Sequence, residues 1–230
     1  MALAVVIGSI AIAGALKNIR RSDDAVTVTG SARRPIRSDF VVWRATVSTQ
    51  LPSLSAASQE LQRQAVHVHD FLKAQGIADS IIAQKPVEAY PVNETTGDGR
   101  DTGRILAYRV SQTFELRSAD VDGITRLSQK AGELISQGVP LATQSPEYLF
   151  TKLADLRITL LEEATKDAKQ RAEAITRSTG GSVGAVRDAK MGVFQITPRY
   201  STEVSDYGVY DVTSIDKDVT AVVRVTFAVR

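Results

Sequence analysis

Apolar and polar residues alternate in two early stretches, Ala25–Gly30 and Phe40–Thr49. In the second, Val41, Trp43, Ala45 and Val47 fall on one side, the period of a half-buried strand. Pro35 lies between the two and is expected to separate them. The period then changes to three and four. Leu54, Ala57, Leu61, Ala65, Val68 and Leu72 form one helical stripe, with Ser53 or Ser55 as cap and Gly76 as stop. A strand is predicted over Ile81–Glu88, and a polar, glycine-rich loop over Pro91–Gly103. Ile105–Arg117 alternates again. A second helix follows, capped by Ser118 and carrying Val121, Ile124, Leu127, Ala131 and Leu134 until Gly138 and Pro140 end it. Val139–Phe150 has room for one or two short strands.

The order strand, helix, strand, strand, helix, strand is a split β-α-β (βαββαβ) arrangement. It places both helices on one face of an antiparallel sheet and gives an α+β fold. A third, longer helix is predicted from about Lys152 to Ser178, with Thr151 as cap. Its stripe is Leu153, Leu156, Leu160, Ala164, Ala168, Ala172 and Ile175, whose alanines permit close approach of a neighbour. Gly180-Gly181 stops it. Val183–Ile196 reads as strand, Thr197–Asp216 as a polar loop, and Val219–Val229 as a strand facing Val219, Ala221, Val223, Val225, Phe227 and Val229 one way.

The first 24 residues break this pattern. Met1–Leu16 is almost wholly apolar, and Lys17, Arg20 and Arg21 follow. A helix of about 16 residues spans roughly 24 Å, somewhat short of a hydrocarbon core of about 30 Å. Ile19 and tilt extend its reach. The reading is an uncleaved membrane anchor over Met1–Leu16 with a charged linker to residue 24; a signal peptide cut after Ala13 is the alternative. Residues 25–230 then form one domain.

Composition narrows the chemistry. The chain of 230 residues is 43% hydrophobic and 23% charged, with a net charge of +2 spread along its length. No basic segment marks a nucleic-acid binder, and none is expected as partner. There is no cysteine, so thiolate nucleophiles, disulfides and Cys-based metal sites are excluded. The two histidines, His67 and His69, are two apart on a helix and point about 200° from each other, so they cannot chelate one ion. Gly180-Gly181-Ser182-Val183-Gly184 has the spacing of a nucleophile elbow, but a helix enters it and a strand leaves, the reverse of what that turn needs. Ser214-Ile215-Asp216-Lys217 has S-x-x-K spacing without the helical turn that would bring its lysine to its serine. Glu203, Asp206, Asp211, Asp216 and Asp218 lack the spacing of a calcium loop. No catalytic residue, cofactor or metal site is expected, and the chain is read as a non-enzyme. Two surfaces stand out. Tyr200, Tyr207 and Tyr210 share one polar loop, and tyrosine is enriched at protein interfaces. Arg33, Arg34 and Arg37 form a short basic group that could meet an anionic lipid or cell-wall surface.

Several pieces, in order, resemble the SIMPL-domain family. They are Val26-Thr27-Val28-Thr29-Gly30; Ser38-Asp39-Phe40-Val41-Val42-Trp43; Phe71–Ile77; the strand around Tyr108; Arg117–Asp122; Tyr148–Thr151; Glu163–Ala168; Gly192-Val193-Phe194; and Ile215-Asp216-Lys217. The chain carries Gly30-Ser31-Ala32-Arg33-Arg34-Pro35 where the family more usually turns acidic. The resemblance implies an α+β fold of helices on antiparallel sheets and a periplasmic or membrane-anchored location in bacteria; with the apolar Met1–Leu16 segment, the expectation is an inner-membrane anchor with the domain in the periplasm. Lys17, Arg20 and Arg21 behind the anchor match instead a cytoplasmic flank, and this second orientation stays open. Within the family one line forms ring- or channel-like homo-oligomers and another is linked to oxidative-stress tolerance. The expectation is a non-enzymatic, membrane-anchored homo-oligomer, with the tyrosines as contacts. A hydrolase of unknown substrate and an anionic-lipid or cell-wall binding module are the alternatives.

Overall fold

The computed structural model of this chain describes residues 24–230. The anchor assigned to Met1–Leu16 lies outside them. Among the described residues no helix is long and apolar enough to cross a membrane. The fold is α+β, as its periodicities imply. It divides into two compact units. A middle unit holds Arg37–Thr151 and Val212–Ile215, and a terminal unit holds the described residues up to Ile36 with Lys152–Asp211 and Asp216–Arg230.

The middle unit is built on strands β2 (Phe40–Leu51) and β5 (Asp101–Ser118), paired antiparallel from Val41↔Ser118 to Leu51↔Tyr108. Short strands β3 (Ile82–Gln84) and β4 (Glu88–Thr95) pair the outer side of β5. Strands β6 (Leu141–Thr143) and β7 (Glu147–Leu149) pair that of β2. Helix α1 (Leu54–Ala74) and the consecutive helices α2 (Val121–Lys130) and α3 (Gly132–Ser136) bury their stripes in the core that includes this sheet's Val41, Trp43, Val47, Val110, Phe114 and Leu116. Each large aliphatic or aromatic side chain so buried stabilises the unit by roughly 1.5–3 kcal/mol before the entropy of ordering it is subtracted.

Two local expectations change here. The loop predicted over Pro91–Gly103 is mostly a hairpin, because β4 continues to Thr95 and β5 begins at Asp101. The turn between them closes through Thr96 N–H to the Arg100 carbonyl, 2.8 Å, with Gly99 at φ 83°. Its polar composition marks exposure rather than lack of pairing. The cap of α2 is Asp120, which accepts from Gly123 N–H at 2.8 Å, while Ser118 accepts from Asp120 N–H one step earlier.

The terminal unit has a four-stranded sheet: β1 (Ala25–Arg37), β10 (Asp216–Val229) and β8 (Val183–Met191) in that order, with β9 (Gln195–Pro198) also on β10. The long helix α4 (Leu153–Ser178) packs against β10, whose Val219, Ala221, Val223, Val225 and Phe227 are buried. Pro35 does not break β1. That strand lies at the sheet edge, where a missing N–H is tolerated. On α4 the last buried position is Thr176 and Ile175 is exposed. The threonine hydroxyl donates to the Ala172 carbonyl at 3.0 Å, so burying it leaves no unpaired group. Thr151 does not cap α4. Its backbone N–H and hydroxyl donate to the Asp39 carboxylate.

One glycine has a clear steric reason. A Cβ on Gly30 would overlap the backbone of α4 at Ala164 and Ala168, and would stand 2.7 Å from the Ala168 Cβ. Glycine on the strand and alanine on the helix let the two approach more closely than larger side chains allow.

Candidate functional site: the tyrosine loop

The chain between β9 and β10 carries the three tyrosines. Its inner support is Gln195, a buried residue of β9. The Gln195 amide donates from Nε2 to the Ser205 carbonyl at 2.7 Å and accepts at Oε1 from Val209 N–H at 2.8 Å. Backbone bonds add to this brace: Ile196 N–H donates to the Val209 carbonyl at 2.8 Å, and Asp211 N–H to the Ile196 carbonyl at 2.9 Å.

Two consecutive residues of β10 hold the two ends. Lys217, almost wholly buried, donates to the Asp211 carbonyl, and its ammonium is 3.6 Å from the buried Asp211 carboxylate. Burial pushes the Lys217 ammonium below its ordinary value, and the Asp211 charge counteracts part of that. Asp218, also buried, accepts from Tyr200 N–H at 3.1 Å and pairs with Arg33. Burial alone would raise the Asp218 carboxyl. The hydrogen bonds from Arg33 and Tyr200 N–H, with the charges of Arg33 and Arg199, outweigh it and hold the group below the usual carboxylate range. Tyr200 sits at φ 66°, unusual for a bulky residue, and the bond from its N–H to a carboxylate offsets that strain.

On this braced backbone the side chains point outward. Tyr207 is 97% exposed, Tyr200 80% and Val204 77%. Tyr210, also exposed, forms a backbone bridge to Ile196. The Arg199 guanidinium lies 5.2 Å from the Tyr200 ring centre, and that of Arg157 lies 5.4 Å from the Phe194 ring centre.

Each of the three arginines of the basic group meets a different carboxylate. Arg33 pairs with Asp218, Arg34 with Glu163 of α4, and Arg37 with Asp122 of α2. Adjacent residues of a strand face opposite ways, so Arg33 and Arg34 serve different sides of the sheet. Ser182 follows the α4 stop at Gly180 (φ 77°) and exchanges backbone hydrogen bonds with Arg230. His69 pairs with Asp79 at 3.1 Å, and His67 is exposed on α1.

Two features of the middle unit carry no marker in the sequence pattern. Glu115, 3% exposed, is ringed by Arg44 (2.7 Å), Lys85 (3.0 Å) and Arg117 (2.9 Å). Hydrogen bonding by Arg44 and Lys85, joined by the charges of Arg117 and Lys85, overcomes burial and lowers its carboxyl to about 2. A groove of about 700 Å³ runs beside α1, walled by Leu61, Ala65, Val66 and Val87 with Gln62 and Gln112 among its polar groups.

Against this geometry, residues 26–227 match the model of the family described as SIMPL, protein of unknown function (DUF541). The chain belongs to the SIMPL family. No curated protein matches it. Several of the SIMPL-like segments in this chain acquire a physical role. Gly30 admits α4, Phe194 underlies an arginine, and Lys217 anchors one end of the tyrosine loop.

Proposed function

We propose that this SIMPL protein is a non-enzymatic, membrane-anchored component of the bacterial cell envelope that assembles with copies of itself into a scaffold, ring or cage. We assign the loop bearing Tyr200, Tyr207 and Tyr210 to its contacts. The observation that carries this reading is the combination of exposed aromatics with a braced backbone. Tyrosines on a mobile loop lose entropy when they dock; tyrosines held by Gln195, Lys217 and Asp218 have lost much of it already. Large, rigid aromatic anchors are the residues that dominate contact energies between proteins. The apolar Met1–Leu16 segment supports the membrane tether.

Sedimentation velocity of the full chain in detergent tests this, comparing wild type with a Tyr200→Ser/Tyr207→Ser/Tyr210→Ser variant. The expected result is a discrete oligomer for wild type and association weakened at least tenfold in the variant, an order of magnitude typical of a lost aromatic anchor. A monomeric wild type would remove the scaffold reading. An oligomer unchanged by the variant would move the contacts away from this loop.

A further inference from the structure

Strand β8 has one ladder partner in the sheet, β10, and its other edge carries no strand among the described residues. Most of its residues are exposed, including Val186 (56%) and Met191 (63%). An unpaired edge of this kind is a template for another strand. Its charges and its register determine which strand fits.

The pairing with β10 sets Thr226 opposite Asp188 but Phe227 opposite Val186, so Arg187 is an extra, bulged residue. The regular part of the edge is therefore Asp188–Met191. Within it Asp188 and Lys190 share one face, their charged groups 4.0 Å apart, and Ala189 and Met191 share the other with Val223 and Val225 of β10.

Consider two such edges related by a two-fold axis perpendicular to the sheet. Residues directly opposite must lie on the same face, so the axis passes through a residue and pairs neighbours symmetrically about it. Centred on Asp188 the pairing sets acid against acid. Centred on Lys190 it sets base against base. Centred on Ala189 it sets Asp188 against Lys190 of the second copy twice over, with one alanine facing the other. Like charges directly opposite repel and opposite charges attract, so the charge order selects this one register.

We propose that β8 pairs antiparallel with β8 of a second copy of this chain about a two-fold axis at Ala189. The interface joins two terminal-unit sheets into one continuous sheet. It rests on the self-assembly reading and gives it a second surface, separate from the tyrosine loop.

The chain has no cysteine, so a single introduced thiol reports cleanly. In full-length protein in detergent, Ala189→Cys places two thiols on the axis at a Cα separation within disulfide reach. Mild oxidation is expected to give a disulfide-linked dimer on non-reducing gels. A cysteine at the exposed Arg63 should give at least tenfold less. Adding Asp188→Lys to Ala189→Cys should reduce the dimer at least tenfold, and adding Lys190→Asp as well should restore it, because the exchanged charges again meet their opposites. Equal linking at positions 189 and 63, or linking indifferent to charge reversal, overturns the proposal. An oligomer by sedimentation that fails to link at 189 overturns the β8 pairing and leaves self-assembly intact; a monomer overturns both.

Discussion

The two units solve the same problem, a sheet that must bury one face, with opposite materials. In the middle unit α1, α2 and α3 bring Leu61, Leu72, Ile124, Leu127 and Leu134 into a core with Trp43 and Phe114. Large side chains fill the space between layers. In the terminal unit α4, the one helix among its described residues, presents Ala164, Ala168 and Ala172, and Gly30 removes the last obstacle from β1. There the backbones themselves close the gap. The edge strand β8 is also largely exposed, whereas β2 and β5 are paired on both sides. The comparison teaches that the middle unit gains stability from buried volume and is sensitive to losing it. The terminal unit also buries Leu160, Val225 and Phe227, but where Gly30 meets α4 it depends on the absence of volume and is sensitive to gaining it.

The largest expected effect tests that asymmetry. Gly30→Val should destabilise the terminal unit by more than about 4 kcal/mol, because the clash is with helix backbone that cannot rotate away. Chemical denaturation followed by backbone circular dichroism measures it. A variant within about 1 kcal/mol of wild type would mean that the close approach is dispensable. Phe114→Ala tests the other side. It opens a cavity in the middle unit and should cost about 3–5 kcal/mol in the same experiment, with a small value showing that the core can collapse around the loss.

A smaller effect separates apolar from ionic contributions in the middle unit. Glu115→Gln removes the acid shared by Arg44, Lys85 and Arg117, although Arg44 keeps Glu147 at 2.7 Å, and should cost about 2 kcal/mol near neutral pH. The sign with pH follows from the lowered carboxyl. Its stabilisation is complete above the ordinary glutamate value of about 4.3 and is lost as pH falls through about 2. The difference in urea midpoint between wild type and Glu115→Gln should therefore narrow steadily between pH 5 and pH 2. A constant difference would assign the effect to packing instead.

Much of the fold was legible because periodicity is local. The stripes of α1 and α2 and the alternation of β10 are written within a few residues of one another. The middle of the candidate site was less legible. The loop and its tyrosines stand out by composition, but Gln195 lies in a short apolar run and gives no sign that it will brace that loop. Asp218 and Lys217 read as ordinary solvated charges until β10 turns one toward Tyr200 N–H and the other toward Asp211. Arg33, Arg34 and Arg37 read as a basic cluster because they are near in sequence. Strand geometry and three separate carboxylates divide them.

The α+β class, the three helical stripes, the longest strands, most of the faces they bury and the family were legible in the sequence alone. These follow from the spacing of apolar residues, from glycine stops and from recognisable segments. Only the tertiary structure decided that Pro35 could stay in a strand, that Gly30 must have no side chain, and that Glu115 would be buried among cations. The physical reason is common to all three. An edge, a close approach and an ion pair are relations between segments distant in the chain, and no local pattern encodes a partner that folding has yet to supply.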